Sequence, residues 1–430
     1  MTTVDSETAL IHALSVTQIP QHLQIVQAHM TNRLHGTRAI VSLPMAPLLP
    51  PVPFPSISMV TFPDGLDRDY ILPYFSHPTL YFIQKARLHR IGYRIDYTIS
   101  LDSNAASYIR SIVEKSSFDG VPQQAAKTID HILTQNYNFD FLFYAFEQIR
   151  QADRAVRVFK KEPVQSPLRF WKKLNRKFRQ NLAFAQLFNA IDNKYYQREH
   201  KFRYEITLLE ATRRAVKFAY EFYVLSSEIR FLAELQRAIL LQLIWIIQSQ
   251  YESKDPPTAK LLAYLHRVHS RGGRYMDRET RLAFDYFKHP DAVPLFSKAR
   301  RFGDADSLLR RLSNIAWDMT APRFLEMVIT ARLQGDFSIP FFLSFDKALC
   351  DAFRRYPVKF VMFNEGSIMA RPFPETASDA YFQECPEVLT TFFSPESRRE
   401  RDQRAGQESS PAAVWRRTLR DYRDLRRLLS

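Results

Sequence analysis

The chain has 430 residues, 46% of them apolar and 13% aromatic, which is material for two or three ordinary domains and excludes a disordered protein. A formal charge of +15, with a pI near 9.7, favours polyanionic partners, and nucleic acid is the commonest large one. Only Cys350 and Cys385 occur, which excludes a disulfide framework or a four-cysteine zinc site, so structural thiols in a reducing, cytoplasmic setting are expected.

Residues 1–17 are too polar for a signal peptide, so export is not expected. Helical periodicity runs through Leu10, Leu14, Ile19, Leu23 and Ile25, and the prolines from Pro44 to Pro55 mark an extended, exposed connection. Residues 1–94 therefore read as an N-terminal extension. Ile95–Leu101 alternates as a strand does and runs straight into Asp102. Helical spacing then predicts helices over 105–115, 122–135 and 139–151.

Residues 152–304 read as an almost wholly helical block. Its most apolar run, Ala238–Ile247, is about half of what a bilayer crossing needs and predicts a buried helix, not a membrane span. Beyond it the pattern predicts helices over Ser307–Ile315 and Ala321–Gln334, a strand over Ile339–Leu343, a helix over Lys347–Arg354 and a strand over Val358–Phe363. Strand, helix, strand at this length implies parallel strands joined by a crossover. Residues 371–430 read as a polar tail ending in a basic helix striped by Trp415, Leu419, Tyr422 and Leu425.

Three acids stand where an open parallel sheet gathers functional groups. Asp102 follows the first strand, Asp346 follows the strand from Ile339, and Asp318 lies at or near the start of the helix that precedes it. Ser103 or Asn104 is expected to cap the helix after Asp102. Several carboxylates in one crevice repel one another unless a hard divalent cation, Mg²⁺ or Mn²⁺, lies between them, and such an ion activates water against a phosphodiester. The blander alternative is that each Asp is a helix cap or turn residue.

The segment ISLDSNAASYI resembles the opening motif of the PIN-like ribonucleases, a strand ending in Asp, a small hydroxyl residue and Asn. FFLSFDKALCDAFRRYPVKFV resembles their closing motif, and NIAWDMTAPRFLEMVITARL is similar to the helix that carries a metal-binding Asp, with 28 positions from Asp318 to Asp346. The resemblance covers about 95–151 and 305–365. It implies an α/β fold, a PIN-like three-layer core with a central parallel sheet, built from 95–151 and 305–370 around a large α-helical insertion at 152–304.

By that resemblance Asp102, Glu147, Asp318 and Asp346 would bind one or two Mg²⁺ or Mn²⁺ ions and form the catalytic set. Glu147 lies 45 positions after Asp102 and is the preferred second acid, with Glu210 in YEITLLEATRRA the alternative. Asn104 and Ser344 would orient the cluster from beside it. The implied activity is a metal-dependent, single-strand-preferring endoribonuclease, with a toxin or defence effector and an inhibitory partner protein among the expected roles. The rivals are a non-catalytic nucleic-acid-binding or scaffold protein on a degenerate core, and a structure-specific DNA nuclease.

From Arg154 to Arg179 ten basic residues stand against the single acid Glu162, with Phe170, Trp171 and Phe178 interleaved. Arg169, Lys172, Lys173, Arg176, Lys177 and Arg179 are candidates to hold RNA phosphates while an aromatic stacks on a base; the alternative is a solvated helix face whose aromatics turn to the core. His266 and His269 lack a third ligand at a recognised spacing and are expected to be exposed. No Walker loop, G-x-S-x-G, H-E-x-x-H or G-x-G-x-x-G occurs, which excludes the commonest nucleotide-binding and serine-hydrolase sites.

Overall fold

The computed structural model describes residues 37–43, 57–62, 66, 70–84, 95–159, 166–252, 254–271, 274–299, 305–331, 336–364, 366–394, 396–397, 399–401, 403 and 411–429. The expected helix within 1–36, the proline-rich connection and the Gly-Gly loop at 272–273 lie outside the described residues.

The segment expected to be an extension supplies β1 (Thr37–Leu43), β2 (Ile57–Thr61), β3 (Ile71–Pro73) and β4 (Thr79–Gln84). Then come β5 (Ile95–Leu101), α1 (Ser103–Lys115), α2 (Gln123–Thr134), the two-residue β6 (Phe139–Asp140), α3 (Leu142–Glu147) and α4 (Ile149–Phe159). Helical spacing over 139–151 conceals β6. Phe139 and Asp140 pair in parallel with Ile99 and Ser100, the Ser100 hydroxyl donates to Asp140 Oδ2 at 2.9 Å, and Asp140 Oδ1 accepts the Leu142 N–H at 2.8 Å to open α3.

The helical block contains α5 (Pro167–Lys173), α6 (Arg176–Phe188), α7 (Asn193–Glu199), α8 (Leu208–Tyr220), α9 (Glu228–Tyr251), α10 (Pro257–Ser270) and α11 (Asp277–Lys288). It is followed by α12 (Ala305–Asp318), α13 (Ala321–Thr330), β7 (Phe337–Leu343), α14 (Lys347–Arg354), β8 (Val358–Asn364), β9 (Arg371–Pro374) and α15 (Pro411–Leu429).

The strands form two sheets, not one central parallel sheet. One has the order β3-β7-β5-β6, with β5 parallel to both β7 and β6 and β3 antiparallel to β7. The other, β2-β4-β1-β8-β9, is antiparallel throughout. β7 and β8 therefore do not make the expected crossover pair. A crossover presumes that both strands share a sheet, and β8 pairs instead with β1, a strand from a segment whose pattern did not announce it. The parallel bridge Phe75↔Val358 and the hydrogen bond from Ser76 N–H to the Val358 carbonyl, at 2.8 Å, join the two sheets.

The described residues form two apolar cores. The first packs both sheets, α1–α8 and the start of α9 around residues such as Phe143, Phe146 and Phe342. The second gathers the rest of α9 with α10–α12, Phe382 and α15 around Trp245 and Tyr286. Residues of 152–304 contribute to both cores, and α15 packs against the second: Asp421, fully buried, accepts from the Trp245 indole N–H at 2.7 Å. By length and composition α9 can cross a membrane, but 72% of its apolar window is buried inside the fold.

A buried ionic network ties the cores together. Arg323 on α13 reaches Glu279 on α11 at 2.8 Å and Glu326 at 3.2 Å, and the Tyr74 hydroxyl donates to Glu326 at 3.0 Å. Both glutamates are fully buried. Arg323→Ala leaves Glu279 without its cation and Glu326 with only Arg278, at 4.0 Å, and is expected to cost about 3–5 kcal/mol, measured by urea unfolding.

Candidate active site

Asp102 sits where β5 passes into α1. Its N–H extends the β5–β7 ladder by donating to the Leu343 carbonyl at 3.1 Å, and its Oδ1 accepts the Ala105 N–H at 2.8 Å. The cap of α1 is therefore Asp102 itself, not Ser103 or Asn104: the strand ends at the residue whose extended backbone aims a carboxylate at the unpaired helix N–H groups. Because Leu101 and Leu343 are register partners, Ser344 stands beside Asp102 and its hydroxyl donates to Oδ2. Asp346 repeats the device on α14, with Oδ1 accepting from Ala348 at 2.9 Å and Leu349 at 3.3 Å, while Oδ2 takes Lys298 Nζ at 2.6 Å.

Glu147 and Asp318 arrive differently, each as the last residue of a helix. Glu147 ends α3, and its Oε2 accepts from both the N–H, at 2.9 Å, and the hydroxyl of Ser103. Asp318 ends α12, where the sequence pattern had put it at or near the start of the next helix and ended the preceding one at Ile315; Met319 and Thr320 make the turn into α13. A carboxylate there meets the negative end of the helix dipole. Among the described residues nothing donates a hydrogen bond to it. This position caps no helix N-terminus and joins no hydrogen-bond network among the described residues.

All four acids line one cleft of about 410 Å³, together with Ser103, Asn104, Arg150, Lys298 and Arg311. The cleft lies at the seam between the two cores, with Trp317 of α12 in one and Ile315 in the other. Ser344 is buried behind it and Asn104 is exposed at its edge.

Crowding and burial set the charge state. Burial pushes the Asp102 carboxyl up to about 6, and Asp346 adds to the rise against the hydrogen bonds that oppose it. Burial, then the neighbouring Asp102 and Asp318, push Glu147 up to about 8. Asp318 rises to about 7 through burial, with Asp346 and Asp102 raising it further and Lys298 opposing. For Asp346 burial acts against ionisation, but Lys298 and the N–H groups of α14 outweigh it and hold the carboxyl below its ordinary value.

No protein family, curated protein or solved structure matches the chain. Among the described residues no three His, Cys, Asp or Glu side chains are grouped to hold one ion as they stand. One oxygen each of Asp102 and Asp346 is committed to a helix cap, and the other to Ser344 and Lys298 respectively.

Glu210, the alternative second acid, is not a cleft residue; it lies on α8 beside Arg213 and Arg214, at 3.8 and 3.4 Å. The basic segment is also elsewhere. Arg169, Lys172, Lys173, Arg176 and Lys177 are exposed and Arg179 is half-buried, whereas Phe170, Trp171 and Phe178 are core residues. The interleaved aromatics are therefore not free for stacking, because they fall on the inward faces of α5 and α6. His266 is exposed, and the partly buried His269 pairs with Glu400 at 3.3 Å. Sequence reasoning missed Arg150, Lys298 and Arg311, since single cations in helical or turn segments carry no spacing signal.

Proposed function

We propose that the cleft is the active site of a metal-dependent nuclease on a PIN-like core, hydrolysing phosphodiester bonds in single-stranded RNA. The observation that carries this reading is the convergence of four carboxylates, spread from residue 102 to residue 346, in one cleft whose walls also carry Arg150, Lys298 and Arg311. The donor set fits Mg²⁺ or Mn²⁺, since it is all hard oxygen, its acids repel one another, and Asp318 has unused lone pairs. Lys298 would have to yield Asp346.

Asp102, Glu147, Asp318 and Asp346 would hold the ion. When bound, the ion supplies Lewis acidity toward a phosphoryl oxygen and lowers the pKa of water. The protein's own groups do the positioning. Ser344 and Ser103 fix the carboxylates of Asp102 and Glu147 by hydrogen bonds, as outer groups do around many metal ligands. Arg150 and Arg311 face the cleft as donors for non-bridging phosphate oxygens, and Asn104 stands at its mouth as a neutral donor and acceptor.

The test is incubation of end-labelled single-stranded RNA, duplex RNA and single-stranded DNA with Mn²⁺ or Mg²⁺, beside EDTA controls. Internal cuts in single-stranded RNA that EDTA abolishes are expected. Cleavage indifferent to EDTA, or no cleavage of any substrate, removes the reading; preference for DNA moves it to the DNA nuclease.

The exposed cations of α5 and α6 are proposed to hold the phosphate backbone outside the cleft, by charge alone. Lys172→Ala, Arg176→Ala and Lys177→Ala combined are expected to weaken all oligonucleotides alike and to lower the salt slope by about 0.7 for each phosphate no longer neutralised, read by fluorescence anisotropy at several KCl concentrations.

One observation favours the non-catalytic reading: Asp102 and Asp346 are both true helix caps, and Lys298 already neutralises Asp346. A binding or scaffold protein on a degenerate core would keep these contacts and need no metal.

A further inference from the structure

On the other side of α12 a second cavity, of about 460 Å³, shares Arg150 and Trp317 with the cleft. Neighbouring residues on a helix point about 100° apart. Hence Arg311 and Asn314 face the cleft, while Arg310 and Ser313 face this groove. Its walls combine apolar Leu240 and Leu309 with Arg237 and Arg310, and its acid, Asp153, is paired with Arg157.

Trp415, near the start of α15, lines the groove and is 41% exposed, whereas the other three tryptophans are at most 7% exposed. A tryptophan held open to water beside arginines is unfavourable for folding and well suited to stacking on a flat, uncharged ring. Trp317, in the wall between the two cavities, has a buried indole N–H with no hydrogen-bond partner among the described residues, and the Arg150 guanidinium lies 5.4 Å from its ring centroid.

We propose that this groove holds an unpaired nucleotide of a single-stranded polynucleotide, its base against Trp415 and its flanking phosphates on Arg150, Arg237 and Arg310. That the nucleotide adjoins the bond cut in the cleft rests on the nuclease reading. The surplus of arginines matches a polyanion, the exposed ring requires a base free of its partner strand, and continuity with the cleft gives one strand a path through both. A duplex hides its base faces and does not fit.

The experiment uses the full chain in EDTA, so that nothing is cut. A ten-nucleotide RNA, the DNA of the same sequence and the blunt duplex are titrated in turn, with tryptophan emission and fluorescence anisotropy as readouts. Both single strands are expected to quench emission and the duplex not; tighter binding of the ribose form adds a 2′-hydroxyl contact to the same groove. Trp415→Ala is expected to weaken binding about 5- to 150-fold, the range for loss of one stacked base. Trp415→Phe keeps most of the affinity while losing the quench, which separates stacking from folding, and Arg310→Ala lowers the salt slope by about 0.7.

Binding by Trp415→Ala and Arg310→Ala equal to wild type, or equal affinity for duplex, overturns the inference and leaves the cleft reading standing. Trp415-dependent binding in a protein that cuts nothing with Mn²⁺ upholds the groove and removes the nuclease.

Discussion

Asp102→Asn and Asp346→Asn, made separately, are expected to fold as the wild type does and to lose metal-dependent cleavage by about 10²–10³-fold, the scale on which one electrostatic stabiliser of a transition state counts. Asn caps a helix as well as Asp. In Asp102→Asn the amide oxygen still accepts from Ala105, and in Asp346→Asn it still accepts from Ala348 and Leu349. The substitutions therefore remove charge and metal-binding capacity while sparing the caps. If both acids are only caps, each variant melts and cuts like the wild type, and the catalytic account is finished. Circular dichroism melting beside the labelled-RNA assay reads both quantities on the same preparations.

Asp318→Asn is expected to move stability and activity in opposite directions: cleavage falls by a similar factor, while the metal-free protein gains about 1–2 kcal/mol at pH 8, ~1–2 °C in Tm. The gain follows from placement, since Asp318 lies at the negative end of α12, without a hydrogen bond among the described residues, beside Asp102, Asp346 and Glu147. Its carboxyl titrates near 7 in the fold against an ordinary value of 3.8. Folding therefore favours the protonated form: there is no penalty below about pH 4, and stability is lost as pH rises through 7. The advantage of the variant should accordingly be absent below about pH 4, grow between about pH 4 and 7, level off above that, and shrink when Mn²⁺ is added to both proteins, because the ion relieves the wild-type repulsion. A wild type whose Tm is indifferent to Mn²⁺ at pH 8, and a variant no more stable than it, would show that no repulsive cluster exists.

What the chain pattern conveyed is local. The alternation of Ile95–Leu101 announced a strand, and its end at Asp102 put a carboxylate at a sheet edge, because side-chain period and strand length are written in consecutive residues. The helix Lys347–Arg354 was legible to the residue for the same reason. Asp318 was legible as an acid near a helix boundary, and the start of the next helix at Ala321 was read correctly, but the preceding helix was ended at Ile315, three residues short of Asp318. β6 was hidden inside a helical pattern because two residues are too short for a period, and only their pairing with β5 makes them a strand.

By itself, then, the sequence determined the charge, the mixed α/β character, most helices, and the three aspartates worth testing, and it left the fourth acid open between Glu147 and Glu210. Tertiary structure alone decided that these acids share a cleft, that Lys298, Arg150 and Arg311 face them, that β8 belongs with β1 and not with β7, and that the aromatics of α5 and α6 are core while Trp415 is open. The physical reason is range. Propensity and periodicity act over a few neighbouring residues, whereas strand partnership and the meeting of Asp102 with Ser344, 242 positions away, depend on which distant surfaces bury each other best.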